Sequence, residues 1–161
     1  MSSGQQILTI LAISLLAILM LNVYNSTGIR KGSMIYNEAI ISGTGIAQSM
    51  FTEIEMKSFD QKTLTKSAAV PDSLTPPLSL GPEAGELTSV QFNDIDDYNN
   101  YTKADTLPRM GVFNTRVQVF YIAKLSPDVK SSVKTFTKQI NVYVTNFSLP
   151  DTLKFYRIIA Y

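Results

Sequence analysis

The sequence predicts an α+β fold: a long N-terminal α-helix, one continuous rod, packed on a small antiparallel β-sheet head. Three observations lead there: an uncharged apolar run at residues 7–23, a helical apolar period that continues from it toward residue 58, and period-two alternation in three segments after residue 111. The corresponding division is 1–58 for the helix and 59–161 for the head.

The apolar run reads ILTILAISLLAILMLNV, with Thr9, Ser14 and Asn22 as its polar residues. A helix of about 17 residues extends roughly 25 Å, the short end of what crosses a bilayer. A cleaved secretory signal would want a basic stretch before the run and a small-residue site after it. No Lys or Arg precedes Ile7, and Tyr24-Asn25-Ser26 follows the run, so the segment is expected to be retained. Two readings then stand. In one the run is a plain single-pass anchor, with Arg30 and Lys31 marking the cytoplasmic side. In the other it lies in the membrane before assembly and afterwards in the apolar core of a filament of like helices. Ile7, Leu8, Leu11, Leu15, Leu16 and Leu19 would then be assembly residues, with Gly28 and Gly32 four apart to permit close helix approach.

Past the run, Tyr36, Ala39, Ile40, Gly43, Ile46, Ala47, Met50, Phe51 and Ile54 recur at three- and four-residue steps, with Glu38, Gln48, Glu53, Glu55 and Lys57 between them. This is the pattern of an amphipathic helix covering a sheet. Continuity with the apolar run predicts one rod of about 50 residues, ~75 Å long. Its parts are an apolar half at 7–24, a weak joint at 25–32 and an amphipathic half at 33–58. The joint is expected because Asn25, Ser26, Gly28 and Gly32 fall there, and each Gly costs roughly 1 kcal/mol against Ala inside a helix.

In the head, residues 68–85 hold Pro71, Pro76, Pro77, Pro82, Gly81 and Gly85, which excludes a regular helix or central strand. This is read as an extended loop pinned by Leu74, Leu78 and Leu80. Residues 112–123 place Phe113, Thr115, Val117, Val119 and Tyr121 on one face. Residues 135–147 alternate Ile140, Val142 and Val144 with polar neighbours, and 153–161 alternate Leu153, Phe155, Arg157 and Ile159 with Lys154, Tyr156 and Ile158. Turn chemistry at Leu125-Ser126-Pro127-Asp128 and Ser148-Leu149-Pro150-Asp151 predicts a meander of three main strands, with a fourth near 87–92. Asn146-Phe147-Ser148 is expected on an exposed turn, and the chain is expected to end tied into the sheet at Tyr161.

Composition narrows the chemistry. The 161 residues contain no Cys and no His, which excludes Ser-His-Asp, Cys-His and His-zinc sites and a disulfide framework. No phosphate-binding glycine loop is present, so a non-enzymatic role is expected. The net charge of +1, with basic residues scattered, gives no support to nucleic-acid binding. A charged fraction of 17 % beside 45 % apolar residues favours contact with lipid or other subunits.

One segment gathers chemistry: Phe92-Asn93-Asp94-Ile95-Asp96-Asp97-Tyr98-Asn99-Asn100-Tyr101. Oxygen donors at this density suit Ca²⁺, which makes Asp94, Asp96, Asp97 and Asn99 candidate ligands, although neither the glycine nor the terminal glutamate of an EF-hand is there. The alternative is structural: the aspartates cap a helical turn while Phe92, Ile95 and Tyr98 pack inward.

That string, following a long N-terminal helix and preceding Gly111-Val112-Phe113 and a β-meander, resembles the minor type IV pilins of the mannose-sensitive haemagglutinin type. The resemblance follows the order of elements over most of the chain, and its motif covers about ten residues. It implies a structural subunit of a type IV pilus-like filament or pseudopilus, with helices bundled in the core and heads outside. The implied partners are copies of the same chain and a pilus assembly machinery, with insertion in the inner membrane before assembly and residence at the cell surface afterwards. At its start the chain departs from that pattern. No basic residue precedes Gly4, and Gln5 or Thr9 stands where the family carries Glu, so the family's Glu-to-amine pairing is not carried over.

Overall fold

A computed structural model describes residues 2–123 and 126–161 of the chain. Helix α1 spans Ser3–Glu55. The strands follow as β1 (Thr102–Leu107), β2 (Gly111–Ala123), β3 (Ser126–Lys130), β4 (Thr137–Thr145) and β5 (Leu153–Ala160). The fold is α+β, as the periodicities require.

The chain forms two compact units, 1–38 and 39–161, and the boundary falls inside α1 instead of near residue 58. Ala39 is the first residue of the helix that is fully buried, so the amphipathic turns belong to the head's core. The joint expected at 25–32 is helical throughout. Isolated glycines are tolerated there because helix propagation is cooperative and unbroken turns flank them. Thr27 Oγ1 donates to the carbonyl oxygen of Val23 at 2.8 Å inside that stretch.

In the second unit, Ala39, Ala47, Met50, Phe51 and Ile54 bury one stripe of α1 against the sheet. Gly43 lies on the same stripe. A Cβ there would stand 2.8 Å from Leu153 Cδ1 and 3.5 Å from Val144 Cγ1, so glycine is what lets the helix backbone approach the strands so closely.

The sheet is antiparallel in the order β1-β2-β4-β5, with β3 paired to the end of β2. Register sets Val117 opposite Val142 and Val142 opposite Phe155, so the inward side chains form continuous rows. The inward face of β2 is the expected one: Phe113, Thr115, Val117, Val119 and Tyr121 are all buried. On β4 the buried row is Ile140, Val142 and Val144 together with Lys138. The turn at Ser148-Leu149-Pro150-Asp151 joins β4 to β5, and Leu149 N–H donates to the Asn146 carbonyl oxygen at 3.0 Å.

Three local expectations are corrected. The fourth strand lies at Thr102–Leu107, not near 87–92, because the polar TKADTL segment suits a sheet edge. The turn expected at Leu125-Ser126-Pro127-Asp128 begins outside the described residues, which exclude Leu125; Ser126 opens β3. Of the three leucines meant to pin the proline-rich loop, Leu74 and Leu80 are buried while Leu78 is 100 % exposed. Asn146 is buried, since its amide donates to the carbonyl oxygens of Met110 and Val112, each at 2.9 Å. Tyr161 is tied down as expected: its N–H donates to the Phe136 carbonyl oxygen at 3.0 Å, and its hydroxyl accepts from Ala68 N–H at 3.0 Å.

Candidate functional site

In the first unit the feature of interest is a surface. Ile7, Leu8, Leu11, Leu15, Leu16 and Leu19 are all exposed, as are Ile10, Ile13, Ile18, Leu21 and Val23 between and after them. These side chains cover every side of α1 over about five turns, so the unit offers no polar face to water in that stretch. This helix is long and apolar enough to cross a membrane. Around Gly28 and Gly32 a Cβ would meet nothing within 4 Å, which leaves the helix backbone open to close approach.

In the second unit the acidic segment is held against the end of α1. Ser58 N–H donates to the Asn93 carbonyl oxygen at 3.2 Å, Ile95 N–H donates to the Ser58 carbonyl oxygen at 2.9 Å, and Lys57 Nζ donates to the Phe92 carbonyl oxygen at 2.6 Å. Asp96–Tyr98 forms a single 3-10 turn. Phe92, Ile95 and Tyr98 pack inward, with the Phe92 and Tyr98 rings edge to face at 5.0 Å. Tyr98 Oη also donates to Glu53 Oε1 of α1 at 2.9 Å. Asn100, at φ 65°, turns the chain from this segment toward β1; Asn is among the few side chains that tolerate that conformation.

The structural reading of the aspartates accounts for half of their oxygens. Asp94 Oδ1 accepts from the N–H groups of Asp96 and Asp97 at 2.7 and 3.3 Å. Asp97 Oδ2 accepts from the N–H groups of Asn93 and Asp94 at 2.8 and 3.1 Å. The second oxygen of each carboxylate, Asp94 Oδ2 and Asp97 Oδ1, is buried without a hydrogen-bond partner.

The four residues picked out as calcium ligands do not form one group. Asp96 Oδ1 is 2.5 Å from Lys138 Nζ. Asn99 is used by the backbone, its amide donating to the Leu80 carbonyl oxygen at 2.9 Å and its Oδ1 accepting from Val119 N–H at 3.1 Å. What comes together instead is Glu83, Asp94 and Asp97, one carboxylate oxygen of each lying within 4.8 Å of the others. Glu83 Oε2 is also buried and unpartnered. Glu86 lies beside this group, its Oε2 accepting from Glu83 N–H at 3.0 Å and its Oε1 from the Asn93 amide.

The electrostatics match the crowding. Burial, then hydrogen bonding to Glu86 and the charges of Asp94 and Asp97, pushes the Glu83 carboxyl up to about 8. Burial and the Asp97 charge raise Asp94 to about 6. Asp97 is raised as well, chiefly by burial, against the pull of its backbone donors.

Beside the acidic segment lies a sealed polar network. Lys138 Nζ donates to the Phe59 carbonyl oxygen at 2.6 Å and to Asp60 Oδ2 at 3.1 Å, and it sits 4.4 Å from the centre of the Phe59 ring. Asp60 in turn accepts from Thr75 N–H, Thr75 Oγ1, Lys62 N–H and Tyr121 Oη. Burial alone would raise Asp60, but the Lys138 charge and the backbone donors hold it below its ordinary value. Burial pushes Asp96 up to about 8 in spite of Lys138. An ionised Asp60 beside an ammonium describes a structural ion pair.

Comparison with known proteins returned no match to a family model, to a curated protein or to a solved structure.

Proposed function

We propose that the chain is a non-enzymatic structural subunit of a type IV pilus-like filament or pseudopilus, assembled through its N-terminal helix. One observation carries this reading: the exposed, uncharged, largely apolar surface of residues 7–24. Apolar area left in water loses about 25 cal/mol per Å², so such a surface must be covered by lipid or by like helices. In this reading the helix resides in the membrane first and then packs against copies of itself, with Ile7, Leu8, Leu11, Leu15, Leu16 and Leu19 as the packing stripe. Gly28 and Gly32 allow neighbouring backbones to come close. The assembled filament is displayed at the cell surface.

Leu15→Asp and Leu19→Asp test the proposal. Negative-stain electron microscopy of material sheared from cells is expected to show filaments for the unaltered chain and none for either variant. Normal filaments from the variants would refute it. The second reading, a single-pass anchored binding module, draws on the acidic group of Glu83, Asp94 and Asp97. It requires a dispersed monomer in detergent with no self-association, which sedimentation would reveal.

A further inference from the structure

We propose that the head binds one Ca²⁺ ion between two loops, with Glu83 supplied by the proline-rich loop and Asp94 and Asp97 by the acidic segment. The geometry points to a ligand, because one oxygen from each of three carboxylates lies within 4.8 Å of the others, and each of these residues also carries a buried oxygen that accepts no hydrogen bond. Asp94 and Asp97 are both 0 % exposed, so bulk solvent does not reach Asp94 Oδ2 or Asp97 Oδ1. A buried acceptor without a partner is destabilising, more so when it is charged, and Glu83, Asp94 and Asp97 each hold one. No salt bridge joins Glu83, Asp94 or Asp97 to a basic side chain among the described residues. Lys138 is already held by Asp60 and Asp96.

The donor chemistry selects the ion. The chain has neither His nor Cys, and the converging groups are carboxylate oxygens alone, which suits a hard cation. Oxygens on opposite sides of a Ca²⁺ ion bound at 2.3–2.6 Å stand about 4.6–5.2 Å apart, in keeping with a group contained within 4.8 Å. Calcium accepts several carboxylates in an irregular shell, whereas Mg²⁺ demands a near-ideal octahedron and retains most of its waters. The backbone hydrogen bonds to Asp94 Oδ1 and Asp97 Oδ2 fix both side chains before any ion arrives, so the site is pre-organised on that side. Glu83 is contributed by the other loop, between Gly81 and Gly85, both at positive φ. Closing the ion between the loops would pin 83–86 against 93–97, and through Ser58 and Lys57 against the end of α1. The inference does not depend on filament assembly, because every residue it uses lies in the second unit.

The test uses the full-length chain in non-ionic detergent micelles, stripped with a chelator and titrated with CaCl₂ by calorimetry, with thermal unfolding followed by near-ultraviolet circular dichroism. The expected result is one Ca²⁺ per chain and an upward shift of the transition that EGTA reverses. Glu83→Gln and Asp97→Asn should each weaken binding by at least about tenfold, while Asp105→Asn should leave it unchanged. Should Asp97→Asn fail to fold, Glu83→Gln decides, because Glu83 lies on a partly exposed loop and caps no turn. Absence of binding at millimolar Ca²⁺, unchanged binding in Glu83→Gln, or equal affinity for MgCl₂ would overturn the proposal.

Discussion

Lys138 Nζ lies 2.5 Å from Asp96 Oδ1, with both residues sealed from solvent. Lys138 is on β4, and Asp96 belongs to the turn that carries the acidic segment. The contact therefore fixes that segment to the middle of the sheet, and Asp60 completes the charge balance from the other side at 3.1 Å.

Removing the cation should expose how much the head depends on it. Lys138→Met keeps most of the apolar stem of the side chain but leaves the ionised Asp60 buried without its counter-charge. Breaking a buried pair in this way costs about 3–5 kcal/mol. Denaturant unfolding followed by near-ultraviolet circular dichroism should register that loss, and a change below about 1 kcal/mol would show that the network carries little of the stability.

The pH dependence of stability should bear the mark of Asp60. Its folded-state value lies below the ordinary 3.8, so the folded state holds this proton less tightly than the unfolded chain. Its contribution is then complete above pH 3.8 and is lost as pH falls through the lower folded value. In a comparison of thermal midpoints, Asp60→Asn should be less stable than the unaltered chain at neutral pH, and the gap should narrow below pH 3.8. A gap that stays constant with pH would contradict the depressed value.

Gly43 and Gly45 are two residues apart on α1 and should respond in opposite ways. Gly45 has nothing within 4 Å of a built Cβ, so Gly45→Ala should stabilise the protein by roughly 1 kcal/mol through helix propensity. Gly43→Leu must displace Leu153, Val144 and Phe113 and should destabilise it by about 1–3 kcal/mol. Thermal midpoints of the two variants check the contrast.

The head should fold without the apolar run. The buried cluster begins at Ala39, so a fragment of residues 33–161 retains all of it. The fragment is expected to be monomeric in water and to unfold in one cooperative transition. Its aggregation or failure to fold would show that the first unit contributes to the core.

Much of this was legible in the sequence. The period of three and four on α1 and the period of two on β2, β4 and β5 identified the elements and their inward faces, because amphipathicity is a local property written residue by residue. Extending the β4 alternation back by one step from Ile140 would also have placed Lys138 inward, but a lysine is ordinarily read as solvated. The edge strand β1 was missed because an edge needs no apolar alternation. The apolar run was equally plain, since no other part of the chain combines that length with the absence of charge.

Local patterning is enough to specify the long helix, the sheet and the concentration of oxygen donors between Asn93 and Asn100. How those donors divide emerges only in the packed chain: Asp96 goes to Lys138, Asn99 to the backbone, and Asp94 and Asp97 to a group completed by Glu83. Glu83 comes from a proline- and glycine-rich loop with no periodicity, and Lys138 from β4, far downstream in the sequence. Their meeting with the aspartates is set by long-range packing of α1 on the sheet, which no local pattern records.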